Sequence, residues 1–326
     1  MTYWRAILWS LIACIGSRAG YAAPSGNWQT VAPLRYEFQH PQMGTLFRLV
    51  FFTEQDSIDA GQVANQIFAR IDSLNMIFSD WLPESELNRL CQTAGSGKKI
   101  QVSPELFDVL ARSKKFSRQT QGAFDVSVGP LTRLWRRSRT LKEFPEKTHL
   151  EAARAKVGWK GIEIYPKTRT VRLKTAGMGL DLGGIAQGWT ADYCLKILRD
   201  QGIPMALVDA GGDLALGDAP QGSTGWDIEL PAGILQNSLK NLHNCGITTS
   251  GATYRFVELD GIRYSHIIDP KTGMALTHRI LVTVKAKNAT IADAWATGLS
   301  VMGKKGWRLA NKSADKIQVW LSEQPL

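Results

Sequence analysis

A glycine-rich turn at residues 181–188 constrains this chain of 326 residues more than any other segment. It reads DLGGIAQG, so three of its eight residues are glycines, and a ligand can approach its bare backbone closely. A helix predicted over residues 189–200 points its amino terminus at the turn, where free N–H groups and the helix dipole suit phosphate. With the Asp181 carboxylate, the segment is typical of a nucleotide-phosphate site that can include a divalent cation. It matches neither GxGxxG nor a P-loop, so a turn that only packs is the alternative.

Short strand patterns outnumber helical patterns along the chain. Together with recurring hairpins, this balance favours an α+β fold with mixed or antiparallel sheets over a doubly wound parallel sheet. Because no repeat or linker interrupts the pattern, residues 30–326 are expected to form a single domain. Strands are predicted at residues 45–52, 162–173, 204–216, 226–230, 262–268 and 280–286. Helices are predicted at residues 59–78, after the N-cap Ser103, at 189–200 and at 292–302.

The amino terminus has the pattern of an export signal. Arg5 precedes an apolar run, Ala6 to Gly16, that is too short to span a bilayer. Residues 1–22 are therefore predicted to be a signal peptide, and a lipobox at residues 11–14, with Cys14 lipidated, is the alternative. Both predict an exported, periplasmic protein, and the second anchors it to the inner membrane. No later stretch of the sequence is long and apolar enough for a membrane helix.

The formal net charge of +10 indicates anionic partners such as phosphates, acidic proteins or membrane surfaces. No run of Lys and Arg is interleaved with aromatic residues, so nucleic acid is not expected as a partner. A basic cluster is interpreted as a solvated face rather than as a docking surface. The cluster comprises Arg133, Arg136, Arg137 and Arg139.

Three cysteines follow Cys14, namely Cys91, Cys194 and Cys245. An odd number without CxxC spacing argues against a disulfide framework or a zinc site. Buried free thiols are the expected state, because cysteine commonly packs as a small core residue.

Asp293 and Thr297 are four residues apart in a predicted helix. A carboxylate and a hydroxyl at this spacing lie on one helix face, and such oxygen ligands suit Mg²⁺ shared with a substrate phosphate. The alternative is that Asp293 begins the helix as a cap or first-turn acid, while Thr297 bonds back to a carbonyl.

Two further segments carry candidate residues. His266 and Asp269 lie at the end of a predicted strand, where His266 could act as a general base, and a turn acid beside a half-buried histidine is the alternative. Phe124 could stack on a flat ring while Asp125 meets a polar edge, or the pair could be a core residue and a strand-start acid. Trp81 is another candidate stacking ring.

In order and joint presence, these motifs resemble the ApbE family of FAD:protein FMN transferases, from about Tyr36 to Leu309. Besides the glycine turn, the resemblance rests on QMGT at residues 42–45, SGATYR at 250–255, HIIDPKTG at 266–273 and the ADAWAT helix at 292–297. It implies an ApbE-like, T-fold-like domain that transfers FMN from FAD to a threonine hydroxyl with Mg²⁺ and releases AMP. Exported flavoproteins resembling Nqr or Rnf subunits would be the targets.

The resemblance also implies roles for individual residues. The metal would be held by the Gly184 carbonyl, Asp293 and Thr297, and Asp293 and His266 would be catalytic. FAD would contact Met43, Trp81, Ala123, Phe124, Asp125, Asp181, Gln187 and the backbone near Ile268.

Three features depart from the family pattern or extend it. Gln187 stands where many relatives have lysine, which removes a cation, and Trp81 stands where tyrosine is common. The segment from Ser250 to Thr253 also resembles a flavinylation motif, so self-modification at Thr253 is a hypothesis. An FAD pyrophosphatase and a non-catalytic FAD-binding protein are the alternative functions.

Overall fold

A seven-stranded sheet forms the centre of the fold. The computed structural model describes residues 33–53, 59–230, 238–251 and 256–323. The strand order in the sheet is β1-β2-β6-β7-β10-β13-β14, and every neighbouring pair is antiparallel. The strands are β1 Leu34–Gln42, β2 Thr45–Thr53, β3 Ile100–Gln101, β4 Ile162–Tyr165, β5 Thr170–Leu173, β6 Ala206–Ala210, β7 Asp213–Leu216, β8 Trp226–Glu229, β9 Ser238–Leu242, β10 Cys245–Gly251, β11 Phe256–Leu259, β12 Ile262–Ser265, β13 Ile280–Ala286 and β14 Gln318–Glu323.

Helices pack on one face of this sheet, with α1 and α6 directly against its strands. On β2, Phe47, Leu49 and Phe51 alternate toward the apolar sides of α1 and α6 and are fully buried, as the two-residue period of a strand requires. The prediction of an α+β fold is confirmed. The helices are α1 Ala60–Phe78, α2 Glu86–Gln92, α3 Pro104–Gln119, α4 Gly129–Leu141, α5 Lys147–Arg154, α6 Ala186–Asp200, α7 Ala289–Met302 and α8 Trp307–Asn311, with short 3₁₀ turns at Trp159–Gly161 and Gly303–Gly306.

Smaller sheets complete the packing. The β8–β9 hairpin covers the other face of the central sheet, where Trp226 packs with Val50 and Ile247. A three-stranded sheet, β3-β5-β4, joins a large core with α3 and α7. The β11–β12 hairpin packs on α4. These smaller sheets, together with α3 and α4, therefore extend the hydrophobic core beyond the central sheet.

Helix starts follow the capping residues that the sequence supplies. Ser103 accepts a hydrogen bond from Leu106 N and precedes Pro104 at the first position of α3, as predicted. Helix α7 begins at Ala289, three residues before the predicted start, because Asn288 accepts from Ile291 N. Asp293 therefore lies one turn inside the helix, and the alternative that it begins the helix is wrong.

The cysteines and the helix lengths bear on two further expectations. Cys91, Cys194 and Cys245 are free thiols; Cys194 and Cys245 are buried and Cys91 is half-buried. Burial raises the pKa of the Cys194 thiol to about 12, so it packs as an apolar residue. Within the described ranges, no helix combines the length and apolar character that crossing a bilayer requires.

Candidate active site

The glycine turn lies at the start of α6, beside the segment that ends in α4. Asp181 N donates to Val126 O at 2.8 Å, and Val128 pairs with Gly179 in a parallel bridge. Ile185, the residue before α6, makes no side-chain cap hydrogen bond. Leu182 O of the turn accepts from Ala186 N, so the N–H groups that follow in the first turn of α6 depend on acceptors from elsewhere.

Helices α6 and α7 cap each other. Gly188 N, in the first turn of α6, donates to Asp293 Oδ2 of α7 at 3.2 Å. In the other direction, Asp192 of α6 accepts from Ala289 N and Thr290 N, each at 2.8 Å, at the start of α7. Each carboxylate thus lies at the positive end of the other helix, and Asp293 is held at the predicted phosphate turn.

Gly184 lies directly against Thr297. A Cβ built at Gly184 would lie 2.8 Å from Thr297 Oγ1 and 2.9 Å from Thr297 Cγ2. Gly188 is equally restricted, since its Cβ would lie 2.6 Å from Ala289 O and 2.9 Å from Asp293 Cβ. Both glycines are needed because the turn and α7 approach each other closely. The structure therefore brings Gly184 next to the pair of Asp293 and Thr297, which lies more than a hundred residues later in the sequence.

Buried carboxylates surround Asp293. Burial, and next the Asp213 carboxylate, raises the pKa of Asp293 well above its usual range, against the effect of the hydrogen bond from Gly188. Burial also raises the pKa of Asp213 to about 7, with Asp209 and Asp192 adding to the effect. A cation next to Asp293 would relieve this repulsion.

The residues at this site fit a hard divalent cation. The set of one carboxylate, one hydroxyl and one backbone carbonyl consists of oxygen donors only, as Mg²⁺ prefers, and it leaves positions for phosphate and water. No group of three or more His, Cys, Asp or Glu side chains suited to a metal occurs in the described part of the chain. A single protein carboxylate is consistent with a Mg²⁺ that substrate phosphates help to hold.

Met43 is connected to the glycine turn through Gln187. Gln187 Nε2 donates to Met43 O at 3.3 Å, and Thr190 Oγ1 approaches Met43 Sδ at 3.8 Å. Met43 has a φ of 52° in the β1–β2 turn, and Gln42 Oε1 accepts from its N–H. The amide of Gln187 therefore stabilises the β1–β2 turn where a lysine would bring positive charge.

Arg136, which no pattern in the sequence singles out, joins Trp81 to the glycine turn. Its guanidinium pairs with Asp80 and, at 3.2 Å, with Asp181 Oδ2, and its Cζ lies 4.1 Å from the centre of the Trp81 ring. Asp181 Oδ1 also accepts from Gly183 N at 2.8 Å. The interpretation of the whole arginine cluster as a solvated face is thus wrong for Arg136, whose side chain is only 20% exposed.

The side chains of Phe124 and Asp125 are engaged within the protein itself. Phe124 is 2% exposed and meets Phe116 edge to face, because the turn at Gly122, with a φ of 82°, directs it into the core. Phe124 is therefore a core residue, and its ring is not available for stacking on a ligand. The Asp125 carboxylate accepts from Ser127 and from Trp159 N. Any FAD contact with Ala123, which is buried, or with Phe124 is thus left to the backbone.

His266 and Ile268 lie in a separate segment, after β12. His266 is exposed, whereas Ile268 is buried and pairs with Ala275. Asp269 accepts from Lys271 N and Thr272 Oγ1, so it caps the turn, as the alternative predicted. The half-buried histidine of that alternative is wrong, because His266 is exposed. The base role of His266 stays a prediction.

Helix α4 connects the His266 segment to the glycine turn. Trp135 Nε1 donates to Gly273 O at 2.8 Å, and its ring stacks on Tyr264 of β12. The next residue, Arg136, bonds Asp181. Two adjacent residues of α4 therefore hold the two parts of the predicted site.

A glycine turn at the start of one helix, facing a buried carboxylate on a second helix, is the kind of site that binds phosphate groups. The model of the ApbE family matches residues 43–321. The chain belongs to the ApbE family, and the prediction of a transferase enzyme is confirmed.

The chain is similar to known flavin transferases over most of its length and most of theirs. An FAD:protein FMN transferase of Vibrio cholerae is 33% identical over 273 residues, which is 81% of this chain and 80% of the relative. One from Klebsiella pneumoniae is 28% identical and covers 99% and 97%. Among solved structures, the apo form of the Pseudomonas stutzeri flavinyl transferase ApbE has a TM-score of 0.81 and 26% identity, covering 92% of this chain and 94% of that one. Residues 1–32 and Thr253 lie outside the described residues, so the signal segment, Cys14 and self-modification stay predictions.

Proposed function

We propose that this protein transfers FMN from FAD to a threonine hydroxyl of acceptor proteins, releases AMP, and requires Mg²⁺. The observation that carries the proposal is the contact of Gly184 with Thr297 beside Asp293 at the start of α6. The names of the relatives support FAD as the substrate and a protein as the acceptor.

The reaction replaces the phosphoanhydride bond of the pyrophosphate with a phosphate ester bond to threonine. The threonine oxygen attacks the phosphorus on the FMN side of the pyrophosphate, the bond from that phosphorus to the bridging oxygen breaks, and AMP leaves with that oxygen. A divalent cation held by Gly184 O, Asp293 and Thr297 would neutralise charge on the phosphates. The threonine proton must go to a base, because a neutral hydroxyl is a poor nucleophile.

The chain's own groups divide the remaining tasks. The N–H groups and dipole at the start of α6 attract the pyrophosphate. The exposed ring of Trp81 offers a surface on which a ring of FAD can stack. His266 is proposed as the base, since imidazole exchanges protons near neutral pH. Its exposure is compatible with an acceptor hydroxyl that arrives from outside.

The acceptors and the location are part of the proposal. The predicted signal at residues 1–22, or the lipobox ending at Cys14, would place the enzyme in the periplasm, in the second case anchored to the inner membrane. Exported flavoproteins resembling Nqr or Rnf subunits would then be the targets. The net charge of +10 would favour acceptors with acidic surfaces.

The proposal is tested with purified protein, FAD, Mg²⁺ and an acceptor domain that contains the threonine. We expect equal amounts of AMP and of acceptor whose mass increases by one FMN, measured by chromatography and intact-mass spectrometry. An acceptor with threonine replaced by valine is the matched control and should stay unmodified. AMP and free FMN without labelling would instead indicate an FAD pyrophosphatase, and bound FAD without AMP would indicate a storage protein.

Gln187→Lys is expected to lower the KM for FAD about fivefold at low salt, equivalent to about 1 kcal/mol for one added charge pair. The lysine would add a cation beside the pyrophosphate, and its ammonium could still donate to Met43 O. The effect should shrink as ionic strength rises, because salt screens it. KM measured at two salt concentrations checks this result.

Gln187→Met separates charge from hydrogen bonding, since it keeps the length and removes the donor to Met43 O. We expect its KM to rise slightly. A KM for Gln187→Lys above that of the wild type at every salt concentration would contradict the prediction.

A further inference from the structure

Arg136 occupies an unusual position for an arginine in a basic helix. It has one carboxylate on each side, Asp80 and Asp181, which are 56 and 45 residues away in the sequence. Both carboxylates are largely buried, with side chains 9% and 12% exposed. Arg137, the next residue on α4, is exposed. The pairing with two largely buried carboxylates therefore distinguishes Arg136 from its exposed neighbour Arg137.

The same guanidinium lies over one face of the Trp81 ring, 4.1 Å from its centre. Tryptophan is the aromatic side chain that binds cations most strongly over its face. Trp81 remains 67% exposed, which leaves room for a second flat ring on the side away from Arg136. One guanidinium thus fixes the orientation of an exposed ring and the position of the first residue of the phosphate turn.

The planar shape of arginine accounts for this double function. A guanidinium can bond two carboxylates along its edges while its face stacks on an aromatic ring. A lysine ammonium is a point charge and cannot satisfy all three partners in this geometry. Asp80 and Asp181 would otherwise repel each other, and Asp80 shows this conflict, because burial and then the Asp181 carboxylate raise its pKa.

We propose that Arg136 is a positioning residue that presents the Trp81 ring and the Asp181 turn together to one dinucleotide, with Trp81 stacking on one of its rings. The identity of the dinucleotide as FAD rests on the proposed function. Arg136 acts through Trp81 and Asp181 and takes no part in the chemical step. Its loss should therefore raise the KM for FAD and leave kcat nearly unchanged.

The test is a double-mutant cycle on FAD binding with Arg136→Gln and Trp81→Ala, measured by calorimetry in the full protein. We expect Arg136→Gln to weaken binding about tenfold, and to weaken it about twofold or less when Trp81 is already alanine, since residues in contact couple. Arg136→Lys should recover part of the affinity, and Arg137→Gln, the matched control, should bind as the wild type does. An equal loss in both Trp81 backgrounds would overturn the proposal.

Binding of FMN and of ADP, measured separately, shows which ring stacks on Trp81. A loss confined to FMN assigns the flavin ring, and a loss confined to ADP assigns the adenine ring; each outcome supports the proposal. An equal loss for both ligands would show that Arg136 does not act through a ring stacked on Trp81 and would overturn the proposal. If Arg136→Gln melts far below the wild type, Arg136→Lys replaces it in the cycle, and a lack of coupling to Trp81 there would equally overturn the proposal.

These measurements separate the inference from the proposed function. Binding of FAD is read without turnover, so a protein that binds FAD but fails to label an acceptor still tests the role of Arg136. Failure of transfer together with intact coupling between Arg136 and Trp81 would contradict only the proposed reaction.

Discussion

Asp293→Asn is expected to abolish FMN transfer, with a loss on the order of 10³-fold, or about 4 kcal/mol of transition-state stabilisation. The amide keeps the volume of the carboxylate, and its oxygen can still accept from Gly188 N. The substitution removes only the ability to carry a negative charge. Asp293 is the one carboxylate among the three proposed metal ligands. FAD binding should weaken less, because the start of α6 and the Trp81 ring remain. Initial rates of AMP release, with FAD titrations alongside, measure both effects.

The stability of the same variant gives an independent readout. The pKa of Asp293 is raised in the folded state, so its contribution to stability is present at low pH and is lost as pH rises through that folded pKa. At pH values well above the ordinary carboxyl pKa, Asp293 therefore costs stability, and Asp293→Asn should then unfold at the wild-type temperature or above it without Mg²⁺. Mg²⁺ should raise the melting temperature of the wild type in the presence of ADP but not that of the variant.

Asp200→Asn serves as the matched control for Asp293→Asn. Asp200 is an exposed acid at the end of α6 and pairs with Lys196. This substitution should change neither transfer nor the Mg²⁺ effect on melting. Transfer by Asp293→Asn within tenfold of the wild type would reject the proposed metal site.

Gly184→Ala is expected to reduce transfer about a hundredfold, through geometry rather than charge. The added methyl would lie 2.8 Å from Thr297 Oγ1 and 2.9 Å from Cγ2, so the turn and α7 must separate. Thr297 has few alternatives, because a β-branched side chain in a helix has restricted rotamers. Overpacking of this kind costs about 1–3 kcal/mol of folding stability. Assays of AMP release and chemical denaturation measure the two effects.

A second substitution identifies the cause of the Gly184→Ala effect. Thr297→Ser removes Cγ2 and keeps the hydroxyl, so Gly184→Ala with Thr297→Ser should recover part of the lost activity. Gly183→Ala changes the neighbouring exposed glycine, whose Cβ would meet only Asp181 Oδ1, at 3.0 Å, and should cost less. Full activity in Gly184→Ala alone would show that the close contact is not needed.

The sequence predicted the core elements well where local rules act alone. The strand β2 was predicted from its apolar run, and the start of α3 at Ser103 and Pro104 was predicted from capping. The contact of Gly184 with Thr297 was anticipated only through the family resemblance, because no local rule brings together residues so far apart.

The role of α4 could not be predicted from the sequence. Four arginines obscure its narrow apolar side, which includes Leu131 and Trp135. Arg136 points inward because it pairs with Asp80 and Asp181. These two residues lie outside α4, so the periodicity of the helix cannot predict the pairing. The position of Arg136 directly after the buried Trp135 is only a weak indication that this arginine faces inward. The same limitation applies to Phe124, whose direction is fixed by the turn at Gly122.

The exchange of carboxylates between α6 and α7 has a consequence for how the molecule opens. Neither helix can fray at its amino terminus without leaving N–H groups of that helix without their acceptors. The two helices should therefore lose amide protection together, as one unit in hydrogen exchange. A ligand bound between the two helix starts would then slow amide hydrogen exchange far along both helices. Ligand binding could therefore be measured from amides that do not contact the ligand.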